Sequence, residues 1–199
     1  NTGLVYQESG TADLFDADGI YIGSSNDMKL GWNLINGEWY YKYGANLLNG
    51  KAEIDGKEYC FENGIMMKNT ASTANLSEYC YGEDGIRLSG TGWRLLDGKW
   101  YYLNSKSEYI TGWAMIGTER YYFLTEEDCF AEKKTDKINY GRIGVMCTGY
   151  RVINGRLCYF DQNGAYRGIR GCENGWYYAK EENAWYFMKG QRVTTGRAT

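Results

Sequence analysis

One pattern dominates the chain: an apolar run, a two-residue turn, then an aromatic run. The clearest copy is Trp93-Arg94-Leu95-Leu96, then Asp97-Gly98, then Lys99-Trp100-Tyr101-Tyr102-Leu103. A second reads Trp32-Asn33-Leu34-Ile35, Asn36-Gly37, Glu38-Trp39-Tyr40-Tyr41. Asn-Gly and Asp-Gly suit a type I′ turn, where both central residues need positive φ, so each copy is expected to be a β-hairpin. Further turns are expected at Asp55-Gly56, Gly117-Thr118, Asn154-Gly155 and Asn174-Gly175. The turns recur about every 20 residues, with two longer steps. One step hides a worn copy near 71–91, and its polar 71–76 stretch reads as a worn turn or a seam between sub-modules. The other holds an inserted loop at 124–137, rich in Glu, Asp and Lys, with room for one helical turn.

A glycine turn follows most aromatic strands, as at Asn63-Gly64-Ile65-Met66, Asp84-Gly85-Ile86, Gly144-Val145-Met146 and Asn163-Gly164-Ala165. The unit is therefore hairpin, glycine turn, short connector, next hairpin. A lone hairpin is marginal in water, so each must bury an aromatic face on its neighbours. The expected fold is all-β: a solenoid of consecutive short hairpins, about eight units forming one module over residues 1–199.

Composition narrows what such a fold could do. Aromatics make up 17% of the chain, an unusual share, and most of them need to stack, pack or bind. Histidine is absent, which removes the commonest general acid–base and metal ligand. Charges nearly balance at a net −3, which gives no basic face for nucleic acid. No apolar run is long enough for a membrane span. The chain begins at Asn1 without Met or leader, the expected start of a mature or excised piece of a larger protein.

Many carboxylates sit at turns (Asp55, Asp84, Asp97, Asp161) and others in the insertion (Glu126, Glu127, Asp128), where they serve backbone geometry and solvation. With no nucleophile motif and no phosphate loop, no catalysis, cofactor or metal is expected within these residues. Asp16-Ala17-Asp18-Gly19 lacks the rest of a calcium loop and reads as a turn. The six cysteines contain no C-x-x-C pair; buried thiols are the leading reading, with disulfides open.

Gly92-Trp93, the Trp100-Tyr101-Tyr102 run, Asn63-Gly64-Ile65-Met66 and the Thr111-Gly112-Trp113 and Thr148-Gly149-Tyr150 joins together resemble the cell-wall-binding repeat, the choline-binding or glucan-binding type of Gram-positive surface proteins. Clostridial toxin repeats are more distant relatives. The resemblance covers nearly all of the chain outside the insertion. It implies a secreted or cell-surface location and attachment to a cell-wall polymer or glucan, with choline-substituted teichoic acid, a host glycan or a receptor as alternatives. It also implies ligands held between consecutive hairpins by Trp and Tyr faces with a Met nearby.

Only two copies keep both family tryptophans. Trp93 and Trp100 with Tyr121 of the next hairpin are the first candidate ligand site, and Trp32 and Trp39 with Tyr59 the second. Trp113 is a further candidate, although Arg120 stands where its second tryptophan would be. Ala52 and Glu58, then Tyr150 and Leu157, occupy the two Trp positions in other copies. Period-2 alternation places Trp100 and Tyr102 on one face and Tyr101 on the other, and one of the two sets must be core. Met66 and Met146 are expected to fill gaps between units.

Overall fold

A computed structural model describes residues 3–6, 12–15, 18–72, 79–131, 143–180 and 183–194. Asp16, the middle of the worn copy at 73–78 and the insertion beyond residue 131 lie outside the described residues.

Consecutive strands pair with each other, as the hairpin turns require. The contacts divide the chain into two units: residues 1–92 with 103–109, and residues 93–102 with 110–199. Within the first, β1 (Gly3–Tyr6), β2 (Ala12–Phe15) and β3 (Tyr21–Ser24) form a three-stranded sheet. Two more follow: β4 (Gly31–Ile35), β5 (Glu38–Tyr43) and β6 (Asn46–Leu47), then β7 (Gly50–Ile54), β8 (Lys57–Glu62) and β9 (Ile65–Met66). The worn copy is also a hairpin, β10 (Thr70–Ser72) paired with β11 (Tyr79–Tyr81).

The second unit is built mainly from β12 (Gly92–Leu96) with β13 (Lys99–Leu103), and β14 (Gly112–Ile116) with β15 (Glu119–Phe123). Helix α1 (Glu126–Ala131) comes next. After it lie β16 (Gly149–Ile153), β17 (Arg156–Phe160) and β18 (Tyr166–Arg170), then β19 (Asn174–Ala179), β20 (Ala184–Lys189) and β21 (Arg192–Val193).

The turns follow the chemistry of their residues. Asn36, Asp55, Asp97 and Asn154 all have positive φ, and so do the glycines after them, the signature of a type I′ turn. One expected turn is overturned. Asn174-Gly175 is not a turn but the start of β19, with Asn174 opposite Lys189 and Gly175 opposite Met188. The aromatic run Trp176-Tyr177-Tyr178 pairs with Trp185-Tyr186-Phe187, and the register runs on to Ala179 opposite Ala184. A local Asn-Gly cue yields to that longer cross-strand register.

Burial resolves which aromatic face is core. Tyr101 and Leu103 are buried at 2% and 0% exposure, whereas Trp100 is 42% exposed. Tyr40 and Trp39 repeat the division at 3% and 36%. In these two hairpins the central tyrosine of the Trp-Tyr-Tyr run anchors the hairpin and turns the tryptophan outward. Five cysteines are buried thiols and Cys172 is a half-buried one. Cys60, Cys80 and Cys158 sit on strands, as the leading reading expected, whereas Cys129 is on α1 and Cys147 and Cys172 lie outside the strands.

Helix α1 has a reciprocal cap of side chain and backbone. The Asp128 backbone N–H donates to Thr125 Oγ1, and Asp128 Oδ2 accepts from the Thr125 backbone. Tyr122 Oη also donates to Asp128 Oδ2, at 2.8 Å. Burial, and then that hydrogen bond, raise the Tyr122 phenol well above its ordinary range.

Candidate functional site

The two hairpins that keep both tryptophans build the same object. Trp93 and Trp100 stand at right angles, 6.2 Å apart and 90° between planes; Trp32 and Trp39 stand 6.1 Å apart at 88°. Each first tryptophan packs edge-on against a tyrosine of the next hairpin: Trp93 on Tyr121 and Trp32 on Tyr59, both at 5.0 Å. Behind each lies a phenylalanine, Phe123 at 5.8 Å and Phe61 at 6.0 Å. The first tryptophan is therefore half wall and half core, while the second projects into solvent.

These rings line open cavities. Trp93, Trp100, Tyr121, Met146, Gln162 and Asn163 enclose 340 Å³ in the second unit. Trp32, Trp39, Tyr59, Met66 and Asp84 enclose 350 Å³ in the first. Both lie within the size range of small-ligand sites. A wider depression of 610 Å³ also touches Trp32 and Trp39, with Asp27, Lys29 and Asn33 on its wall.

The methionine walls are fixed by backbone. Met146 N donates to the Trp100 carbonyl at 2.8 Å, so its backbone is tied to the tryptophan it faces. A glycine of the following turn lies directly on each methionine. A Cβ on Gly164 would meet Met146 Sδ at 2.3 Å, and one on Gly85 would meet Met66 Sδ at 2.4 Å. Met66 also packs with Ile54, Tyr59 and Phe61, so it fills a gap as expected and lines a cavity as well.

Six of the seven residues singled out in the sequence thus fall into two matched sets. The seventh, Trp113, is not among the residues of either cavity. It packs against Tyr122, Phe160 and Tyr166, and the Arg120 guanidinium lies 4.0 Å from its ring centroid. The chain's own cation takes the place that Trp39 and Trp100 hold in the intact copies. Arg120→Ala is expected to lower stability by ~0.5–1 kcal/mol, the size of an exposed cation–π contact, read as a fall in urea midpoint.

Other worn copies are filled in similar ways. Glu58, at the second Trp position, pairs with Arg87, whose guanidinium lies 3.5 Å from the Tyr79 ring centroid. In the 149–168 copy Leu157 is fully buried, and Tyr150 packs on Tyr159 at 4.8 Å.

Sequence reasoning passed over Asp84, Gln162 and Asn163 as wall residues. They come from the glycine turn two hairpins downstream, and the repeat phase was the signal that could have found them. It also passed over one exposed face of β19 and β20, where Trp176 pairs with Phe187 at 5.1 Å and Tyr178 with Trp185 at 4.9 Å.

Residues 90–133, which hold the Trp93, Trp100 and Tyr121 walls, match the choline-binding repeat family. That stretch is similar to the choline-binding repeat. Two curated proteins are similar to parts of the chain. Toxin A of Clostridium novyi is 34% identical over 92 residues, 41% of this chain and 4% of that protein. Glucosyltransferase-S of Streptococcus mutans is 28% identical over 162 residues, 75% of this chain and 11% of that protein. The chain thus spans a small fraction of the length of these relatives. Among solved structures, choline binding protein F from Streptococcus pneumoniae aligns at 21% identity and a TM-score of 0.44, over 100% of this chain and 58% of that one.

The repeat explains the layout of each cavity. The first strand carries one tryptophan and the second carries the other. The next hairpin supplies the tyrosine, and its connector the methionine. A single hairpin cannot complete such a cavity, so its walls and the packing of neighbours share the same residues.

Proposed function

We propose that this chain is a non-catalytic binding module that attaches a larger secreted protein to a cell-wall or extracellular polysaccharide. The observation that carries this is the pair of matched cavities, each walled by two perpendicular tryptophans, a tyrosine and a methionine. Sugar rings stack on exposed aromatic faces, and polar neighbours such as Gln162 and Asn163 can take hydroxyl groups. The exposed second tryptophans offer such faces. The similarity to segments of a glucosyltransferase and a toxin supports a module joined to other activities.

A choline-specific anchor is the second reading, favoured by the convergence of ring faces. One quaternary ammonium can contact several of them at once, at roughly 0.5–2 kcal/mol for each face. Two pull-down assays separate the readings. Co-sedimentation with insoluble glucan that free choline does not reverse supports the polysaccharide. Retention on choline-substituted resin with elution by free choline supports the anchor. If both fail and tryptophan fluorescence answers neither ligand, the module is a spacer and the proposal falls.

A further inference from the structure

The two cavities match in their aromatic walls but not in the turn that closes them. In the second unit the closing turn reads Asp161-Gln162-Asn163-Gly164-Ala165, and in the first Gly82-Glu83-Asp84-Gly85-Ile86. Their hydrogen bonds put them in register. Gly164 N donates to the Asp161 carbonyl and Asp161 N to the Ala165 carbonyl; Gly85 N donates to the Gly82 carbonyl and Gly82 N to the Ile86 carbonyl. Gln162 therefore corresponds to Glu83, and Asn163 to Asp84. One turn carries amides at the positions where the other carries carboxylates of the same shape.

The difference reaches the cavities. Asp84 is the charged residue on the wall of the first, where Gln162 and Asn163 line the second. Asp161, the one acid of the second turn, is already paired: Arg167 lies 2.7 Å from its carboxylate and also meets Glu119 at 2.9 Å. The field in the first cavity registers at its tyrosine. Burial, then the Asp84 and Asp55 carboxylates, push the Tyr59 phenol above its ordinary value. Asp27 and Lys29 on the neighbouring depression are of opposite sign and offset each other.

We propose that the two cavities sort ligands by charge: the Trp32/Trp39/Tyr59 cavity, with Asp84 on its wall, selects a cationic group such as a quaternary ammonium, and the Trp93/Trp100/Tyr121 cavity, with Gln162 and Asn163, discriminates less against a neutral hydroxylated one. This rests on the aromatic cavities being the ligand sites. Ring faces alone attract cations at both places, so the carboxylate adds a preference on top of a shared one. Asp84 is exposed, and water and salt screen it.

The test uses choline and its uncharged carbon isostere, 3,3-dimethyl-1-butanol, titrated calorimetrically into the full chain. Trp100→Ala leaves the first cavity to be read alone, and Trp39→Ala leaves the second. The preference for choline over the isostere should be about fivefold greater in the first cavity, the scale of one half-screened charge near contact. It should fall by that factor in Glu83→Gln/Asp84→Asn and with rising salt. The reciprocal Gln162→Glu/Asn163→Asp should raise it in the second. Asparagine keeps a carbonyl oxygen for the Ile86 N–H that Asp84 now accepts, and an unchanged thermal midpoint confirms the fold.

Equal preferences in the two cavities, or a preference that ignores the amide substitutions, would overturn the sorting and leave the cavities as ligand sites. No binding of either probe at either cavity would refute both the sorting and the sites.

Discussion

Trp93→Ala is expected to remove ligand binding in the second unit and about 3 kcal/mol of stability, whereas Trp100→Ala removes the binding alone. The two tryptophans wall the same cavity but stand differently on the fold. Trp93 is half-buried and touches Tyr102 at 5.2 Å, Tyr121 at 5.0 Å and Phe123 at 5.8 Å. Removing it leaves a hole among three rings, and large-to-small changes of this kind cost ~3–5 kcal/mol when the site is fully buried. Partial exposure places Trp93 at the low end. Trp100 is 42% exposed, and truncating it opens no cavity in the core. Its loss removes one of the faces on which a ligand would rest, so affinity should drop at least about tenfold, the scale of a buried-aromatic hot spot. Urea midpoints and ligand titrations of both variants check the separation. Equal stability losses would mean that Trp100 is packing, and unchanged affinity in Trp100→Ala would remove the cavity from consideration as a site.

That division was only half legible in the chain. The hairpins could be placed because Asn36, Asp55, Asp97 and Asn154 each precede a glycine, and that dipeptide fixes a turn almost by itself. The Asn174-Gly175 pair shows the limit of the cue, because cross-strand pairing of two aromatic runs decided that register. Alternation showed that Trp100 and Tyr101 face opposite ways, but not which way is inward. That choice depends on Tyr101 and Leu103 being covered by neighbouring elements, which is tertiary information. The aromatic walls could be named because the repeat carries them in phase. The polar walls were hidden by distance, since Asp84 and Asn163 belong to turns two hairpins beyond the tryptophans they face. Arg120 was visible as a missing tryptophan, while its stacking on Trp113 required coordinates.

Gly164 joins the fold to the site most directly, and Gly164→Ala is expected to cost about 2 kcal/mol and to weaken binding in the same cavity. Two effects add. At φ +80° an alanine is strained by ~1–2 kcal/mol. Its methyl would also stand 2.3 Å from Met146 Sδ, so the thioether must leave its place on the cavity wall. Gly98→Ala isolates the first effect, since its φ is +69° and a Cβ there meets nothing within 4 Å. The second is isolated by Met146→Ala, which makes room for the new methyl. The Gly164→Ala/Met146→Ala double variant should then be less destabilised than the two single variants summed, by about 1 kcal/mol, a normal coupling for residues in contact. Additive losses would mean that Met146 moves aside freely, and that the glycine is held at this position by backbone conformation alone.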